Sequence, residues 1–339
     1  MNLNLTDTQK RLHAKIKAEL GREVIAALED DEIIEIMLNS DGSLWIDRLG
    51  KGMELINKHT CSPQAAIHTI ASYLNTNITN NNPVLECNLP LDGARFEAVV
   101  SPVVENPSFT IRKKAKRIFT LDEYEEKGIL AKTDFTLMKI SIPENLEVKE
   151  ILKFCIQNKK NILISGGTGS GKTTLTNALI DTMSQLTPDD RIIIIEDALE
   201  IQCKSKNNVI FRSDRFNENM STNRLLAVTM RYRPDRILVG EVRGKEALTL
   251  LKSWNTGHPG GISTIHADSA VSTLARLESL INESEDVRGS DVRSLVGEAV
   301  DVIINISKTG SEAGRNIQEI IEVKGYDPLG QKYNIRRLI

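Results

Sequence analysis

Cysteine is scarce in this chain. Its four thiols, Cys61, Cys87, Cys155 and Cys203, lie far apart and form no C-x-x-C pair. That spacing excludes a four-cysteine zinc module and a disulfide scaffold, and it predicts reduced, packed thiols. Long apolar runs are missing too. None approaches the roughly 20 residues of a membrane-spanning helix. The first residues, Met1 to Asp7, carry neither the basic nor the apolar region of a secretory signal, so the chain is expected in the cytoplasm. Charge of one sign is not in excess either: 43 Lys and Arg face 46 Asp and Glu, a formal net charge of −3. That balance announces no nucleic-acid partner, and any such contact must be local. Internal repeats and low-complexity segments are absent.

The 339 residues suffice for about two domains with a sizeable core. Leu12, Ile16, Leu20, Val24 and Leu28 recur every four positions, which predicts one amphipathic helix from Gln9 to Leu28. Apolar stretches at 34–38 and 43–47 flank Asn39-Ser40-Asp41-Gly42, a hairpin signal. Ser62-Pro63 predicts a helix start, with the helix running to Leu74. Two further strands are expected between Leu89 and Arg112, around Asp92-Gly93 and Pro102. Thr120 to Glu123 has the form of a capping box. Ala131 to Asn145 reads as a connector. The expected division is thus an N-terminal domain over 1–130, a linker over 131–145 and a second domain over 146–339. In the second domain short apolar runs alternate with helical patterns, as at Ile192 to Ile195, Arg236 to Val239 and Ile262 to Ile265, which predicts a largely parallel sheet.

The most specific stretch is Gly166-Gly167-Thr168-Gly169-Ser170-Gly171-Lys172-Thr173-Thr174, which satisfies G-x-x-x-x-G-K-[ST] in full. A strand-length run, Asn161 to Ser165, precedes it, and Leu175 to Leu186 reads as a helix without Gly or Pro. Strand, glycine loop and helix is the setting a phosphate-binding loop requires. Its backbone N–H groups curl around an anion at a helix N-terminus. Lys172 is then expected to reach the β- and γ-phosphates, and the Thr173 hydroxyl to ligate Mg²⁺.

Hydrolysis needs more than a phosphate loop: carboxylates to manage Mg²⁺ and a group to position water. Three segments offer them. Glu196, Asp197 and Glu200 emerge after Ile192 to Ile195, where ligands bind in open α/β sheets; a solvated acidic loop is the competing reading. A second apolar run delivers Glu241, preceded by Gly240 rather than the usual magnesium-linked Asp. The third segment runs from Thr256 to Ala267 and holds His258 and His266, whose separation lacks metal-ligand spacing.

The four segments in this order resemble one family, the secretion and pilus traffic ATPases of type II and type IV secretion, type IV pili and conjugation. Its Walker A loop stands here as Gly166 to Thr174, its acidic box as Ile195 to Glu200, its atypical Walker B as Arg233 to Arg243 and its histidine box as Thr256 to Ala267. Glu35 to Asn39, Leu89 to Arg95 and Ser108 to Lys113 extend the resemblance over nearly the whole chain. Within the family, the lack of a zinc module and of a long extra N-terminal domain is most similar to the compact conjugative-transfer branch. Ala198 stands where many members have proline.

The resemblance implies an α/β fold, a RecA-like P-loop domain preceded by a smaller α+β domain, binding ATP and Mg²⁺ and assembling as a homohexamer. It implies that Glu196 activates water, with Glu200 as rival; that Glu241 joins Thr173 on Mg²⁺; that His266 senses the γ-phosphate while His258 shapes its loop. It further implies that Arg95 and Arg112 reach the nucleotide across the interdomain cleft, and that Arg231 or Arg243 acts at a subunit boundary. Phe119 to Tyr124 is expected near adenine, with plain packing as the alternative. Partners implied are components of an inner-membrane secretion or conjugation apparatus, with the protein peripherally attached. Alternatives are a pilus-retraction or type II secretion motor, a DNA-stimulated translocase and a nucleotide-gated docking platform with little turnover. The basic run Arg112 to Arg117 leaves direct nucleic-acid binding open.

Overall fold

A computed structural model describes residues 6–115, 119–131, 140–283 and 289–339. Most of the expected connector at 131–145 lies outside the described residues, as do Lys116 and Arg117 of the basic run. The chain begins with helices α1 (Asp7–Leu20) and α2 (Arg22–Glu29), followed by strands β1 (Ile33–Leu38), β2 (Leu44–Arg48) and β3 (Gly52–Ile56). Helix α3 (Pro63–Tyr73) precedes strands β4 (Val84–Asn88), β5 (Arg95–Val99) and β6 (Ser108–Arg112), and helix α4 (Leu121–Glu126) follows.

The single helix expected from Gln9 to Leu28 is broken. Gly21 has φ of 85°, and a Cβ there would sit 2.8 Å from the backbone nitrogen of Cys61. Glycine therefore lets the chain turn under the 60–61 segment, and α1 and α2 become separate helices. Both still bury their apolar stripes, through Ile16, Leu20, Val24, Ala27 and Leu28.

The six strands form an antiparallel sheet in the order β3-β2-β1-β6-β5-β4. Because side chains alternate across a sheet, Ile36, Leu38, Ile46, Phe96, Ala98, Phe109 and Ile111 share a core with the helices. The other face carries Glu35, Asp47, Glu97, Thr110 and Arg112, aligned by register.

The second half starts with α5 (Val148–Gln157), β7 (Ile162–Ser165), α6 (Lys172–Leu186), β8 (Ile192–Glu196) and β9 (Asn208–Arg212). It continues through α7 (Thr222–Thr229), β10 (Arg236–Glu241), α8 (Glu246–Asn255), β11 (Ile262–Ile265), α9 (Ala270–Asn282) and α10 (Gly289–Ala299). It closes with β12 (Val302–Lys308), β13 (Arg315–Asp327) and β14 (Lys332–Arg337). Eight strands make one sheet, ordered β14-β13-β12-β7-β11-β10-β8-β9. Strands from β12 to β9 in that order run parallel, whereas β13 and β14 add an antiparallel hairpin. Every residue of β7, β8 and β11 is buried, as parallel strands covered on both faces require. This is the expected architecture, a RecA-like α/β domain preceded by a smaller α+β domain.

The two sheets are joined at the amino ends of β8 and β10. Arg191, wholly buried, donates from Nη1 to Asn39 Oδ1 at 2.6 Å and also to Asn207 Oδ1, and from Nε to the Tyr232 carbonyl at 2.8 Å. Burial pulls its pKa down to about 10. Tyr232 in turn donates its hydroxyl to the Ser108 carbonyl at 2.9 Å, and Arg233 pairs with Asp47 at 2.8 Å. Val84, Val99, Val103 and Val104 pack with Phe211, Leu225 and Tyr232 in one apolar cluster that crosses the boundary. Replacing Arg191 by Met leaves the Asn39 and Asn207 carbonyl oxygens without this donor, at an expected cost of about 3 kcal/mol. Urea denaturation should register that loss and show the two halves melting as separate transitions.

Candidate functional site

Strand β7 delivers the chain into the glycine loop, and α6 begins at Lys172. Two glycines there are obligatory. At Gly166, φ is 155° and a Cβ would run into the carbonyl of Ile306; at Gly171, φ is 101° and the residue N-caps α6 without a side-chain hydrogen bond. The first N–H groups of α6 therefore have no side-chain acceptor from the cap residue and point at whatever anion enters. Lys172 is only 8% exposed. Its ammonium donates to the carbonyls of Gly166 and Gly167 at 3.0 and 3.1 Å and lies 3.4 Å from His266 Nδ1. Burial lowers its pKa, and the attraction of Glu241 opposes that shift.

The acids converge on the same cavity, about 460 Å³, beyond the carboxyl ends of β7, β8, β10 and β11. Lys172, Thr173, Glu196, Glu200, Glu241, His266 and Arg243 all line it. Glu196 is 5% exposed; its Oε2 accepts from the backbone N–H groups of Glu200 and Ile201 at 3.0 and 3.1 Å, while Oε1 has no partner. Burial raises its pKa, against those two hydrogen bonds. Gly240, where an aspartate is usual, makes room for it: a Cβ at 240 would lie 3.1 Å from the Glu196 Cβ.

Glu241 sits 2.8 Å from His266 Nε2, and Arg243 pairs with both Glu241 and Asp197 at 2.6 Å. The Thr173 hydroxyl donates to Glu200 at 3.2 Å. Among the described residues no group of three His, Cys, Asp or Glu could hold a metal. Mg²⁺ in nucleotide sites needs fewer, one or two protein ligands beside phosphates and water. A hydroxyl and carboxylates facing one polar cavity at a helix N-terminus fit that requirement.

The structure does not bring Arg95 and Arg112 to this cavity within one chain. They pair across β5 and β6 and line a separate cleft of about 360 Å³ with Glu86, Glu97, Thr110 and Arg231. Arg112 bonds Glu35 at 2.6 Å. Burial lowers the pKa of His258, and the charge of Arg112 adds a smaller push in the same direction. His258 precedes β11 and His266 follows it, so Arg112 stands at the opposite end of the parallel sheet from the glycine loop. The cause is the docking of the polar sheet face on the amino ends of β8 and β10. Arg231 joins that cleft, pairing with Glu86 and lying 3.4 Å from Glu97, whereas Arg243 belongs to the cavity. Phe119 and Tyr124 stack edge-on at 6.2 Å and do not line the cavity.

Two cations went unnoticed in the sequence. Arg315 lines the cavity, and Lys308 lies over Gly169. No motif marks them, because only the pairing of β12 with β13 carries them to the loop.

A profile of the type II/IV secretion system protein family matches residues 19–309. The chain belongs to that family. Conjugal transfer protein TrbB of Rhizobium radiobacter is 41% identical over 317 residues, spanning 93% of this chain and 91% of the relative. Type IV secretion system protein VirB11 of Bartonella henselae is 31% identical over 362 residues, with 98% of each covered. Among solved structures, the crystal structure of the VirB11 ATPase from the Brucella suis type IV secretion system, in complex with sulphate, superposes with a TM-score of 0.77 at 26% identity, covering 93% of this chain and 96% of that one. Among the described residues of this family member, no helix is long and apolar enough to cross a membrane.

In the arginine cleft, burial pushes Glu97 from 4.5 up to about 8. The folded chain thus holds a proton that the unfolded chain releases, so this contribution to stability is complete below pH 4.5 and fades as pH rises through about 8. Glu97→Gln should match the parent in thermal denaturation at low pH and exceed it above pH 8.

Proposed function

We propose that the protein is a Mg²⁺-dependent ATPase that works as a homohexamer to energise a conjugative or type IV secretion apparatus at the inner face of the membrane. The observation that carries the chemistry is the meeting of Lys172, Thr173, Glu196, Glu241 and His266 around one cavity at an uncapped helix N-terminus. The likeness to TrbB and VirB11 supports the biological setting.

Backbone N–H groups of Gly166 to Thr174 and the Lys172 ammonium bind the ATP phosphates. Thr173 and Glu241 would hold Mg²⁺, which supplies charge neutralisation at the β- and γ-phosphates. Glu196 orients a water through its unpartnered Oε1 and accepts its proton as the water oxygen bonds to the γ-phosphorus and the β–γ bridging bond breaks. Its raised pKa suits a base. Glu200, already engaged by Thr173, is less free to do so. His266, between Lys172 and Glu241, reports γ-phosphate occupancy. The ring reading draws support from the arginine cleft. Arg95, Arg112 and Arg231 stand together, remote from their own loop, so a neighbouring chain's nucleotide is the one they serve, stabilising the transferring phosphoryl group.

Lys172→Ala should lose ATP binding in calorimetry, whereas Glu196→Ala should bind ATP and fail to turn it over; steady hydrolysis by the latter would hand the base role to Glu200. In the parent the acidic limb of the pH–rate profile should lie above the ordinary glutamate range, since protonated Glu196 cannot accept the proton. Native mass spectrometry with ATP tests the ring, and a strictly monomeric species refutes it. Mixing Lys172→Ala with Arg112→Ala chains, each inactive alone, should recover part of the activity; no recovery would return Arg112 to its own chain's nucleotide.

A further inference from the structure

The charged groups at the glycine loop are nearly all committed to one another. Lys172 is held by two carbonyls, Arg243 by Glu241 and Asp197, and His266 lies against Glu241. Arg315 is one exception. It lines the same cavity yet makes no side-chain hydrogen bond or ion pair among the described residues. Its Nη1 and Cδ would lie 2.7 and 2.8 Å from a Cβ placed on Gly171, so the side chain lies flat on the N-cap residue of α6.

Lys308 is equally uncommitted. Its Nζ would lie 3.1 Å from a Cβ on Gly169, and it is the direct cross-strand partner of Arg315 in the β12–β13 ladder. Like charges placed opposite each other weaken a strand pair. A hairpin that sets two unpaired cations side by side over a phosphate-binding loop is built to meet an anion.

We propose that Arg315 is a nucleotide-binding residue that grips the α- and β-phosphates, with Lys308 adding attraction as the nucleotide enters. This rests on the ATPase reading above. The assignment to α and β follows from Gly171: the loop's backbone N–H groups cradle those two phosphates, while the lysine after it reaches onward to β and γ. A guanidinium at Gly171 therefore serves ATP and ADP alike. It differs in this from the cleft arginines, whose proposed role is confined to the transferring group.

The test is the affinity of purified full-length protein for ATP and for ADP, with Mg²⁺, by isothermal titration calorimetry. Arg315→Ala should weaken both by a similar factor, roughly ten- to thirtyfold for the loss of a charge-assisted contact. Arg315→Lys should restore part of that loss. Lys308→Ala should weaken both less and flatten the dependence of affinity on salt. Undiminished affinity of Arg315→Ala for both nucleotides overturns the proposal, and so does a loss confined to ATP, which would move the contact to the γ-phosphate. Failure of the parent protein to bind either nucleotide would instead refute the ATPase reading on which it rests.

Discussion

The buried guanidinium of Arg191 ties the two halves of the molecule together. It reaches Asn39 in one half while holding Asn207 and the Tyr232 carbonyl in the other. A charge so far from water needs acceptors for its donors, and Nη1 and Nε find them while Nη2 has no partner. The segments supplying them, the turn after β1, the start of β9 and the approach to β10, must therefore come together. Their docking turns the polar face of the N-terminal sheet toward the amino ends of the parallel strands. From that follows the separation of Arg95, Arg112 and Arg231 from the glycine loop of their own chain, and with it the argument for a neighbour.

At the other end of the parallel sheet, the cavity is organised by internal pairing. Arg243 bridges Glu241 and Asp197, Thr173 leans on Glu200, and Lys172 sits on the loop's own carbonyls. An incoming polyphosphate with its metal would exchange these contacts rather than create order from nothing, which keeps the loss of side-chain freedom on binding small. Gly240 is part of the same economy of space. Without a side chain at that position, the backbone of β10 comes close enough for Glu196 to sit against it, with one oxygen fixed by two N–H groups and the other buried without a partner.

Much of this was legible in the sequence because it is local. The glycine loop, the apolar runs of β8, β10 and β11 and the acids that follow them are contiguous, and contiguity is what a pattern can express. Gly240 stood out as a departure from the usual aspartate, but its reason lay in a contact with Glu196, a residue from another strand. The helix break at Gly21 escaped notice because the apolar spacing runs straight through it, and only the proximity of Cys61 demands the turn. Strands β3 and β4 were missed for lack of a clear alternation: β3 is an exposed edge strand, and β4 buries only its first two residues. The expectation that Arg95 and Arg112 face their own nucleotide needed knowledge of how the domains dock, which no spacing encodes. Arg315 and Lys308 belong to the same category of long-range partners.

The leaning of the β12–β13 hairpin on the glycine loop bears on the protein's biosynthesis. Gly166 packs under the carbonyl of Ile306, and Gly169 and Gly171 lie beneath Lys308 and Arg315. A nascent chain has the whole loop long before it has its roof. At translation speeds of about 5–20 residues per second, the loop waits roughly 7 to 28 seconds for the hairpin to leave the ribosome. The loop is in that sense completed late, by residues made well after its own.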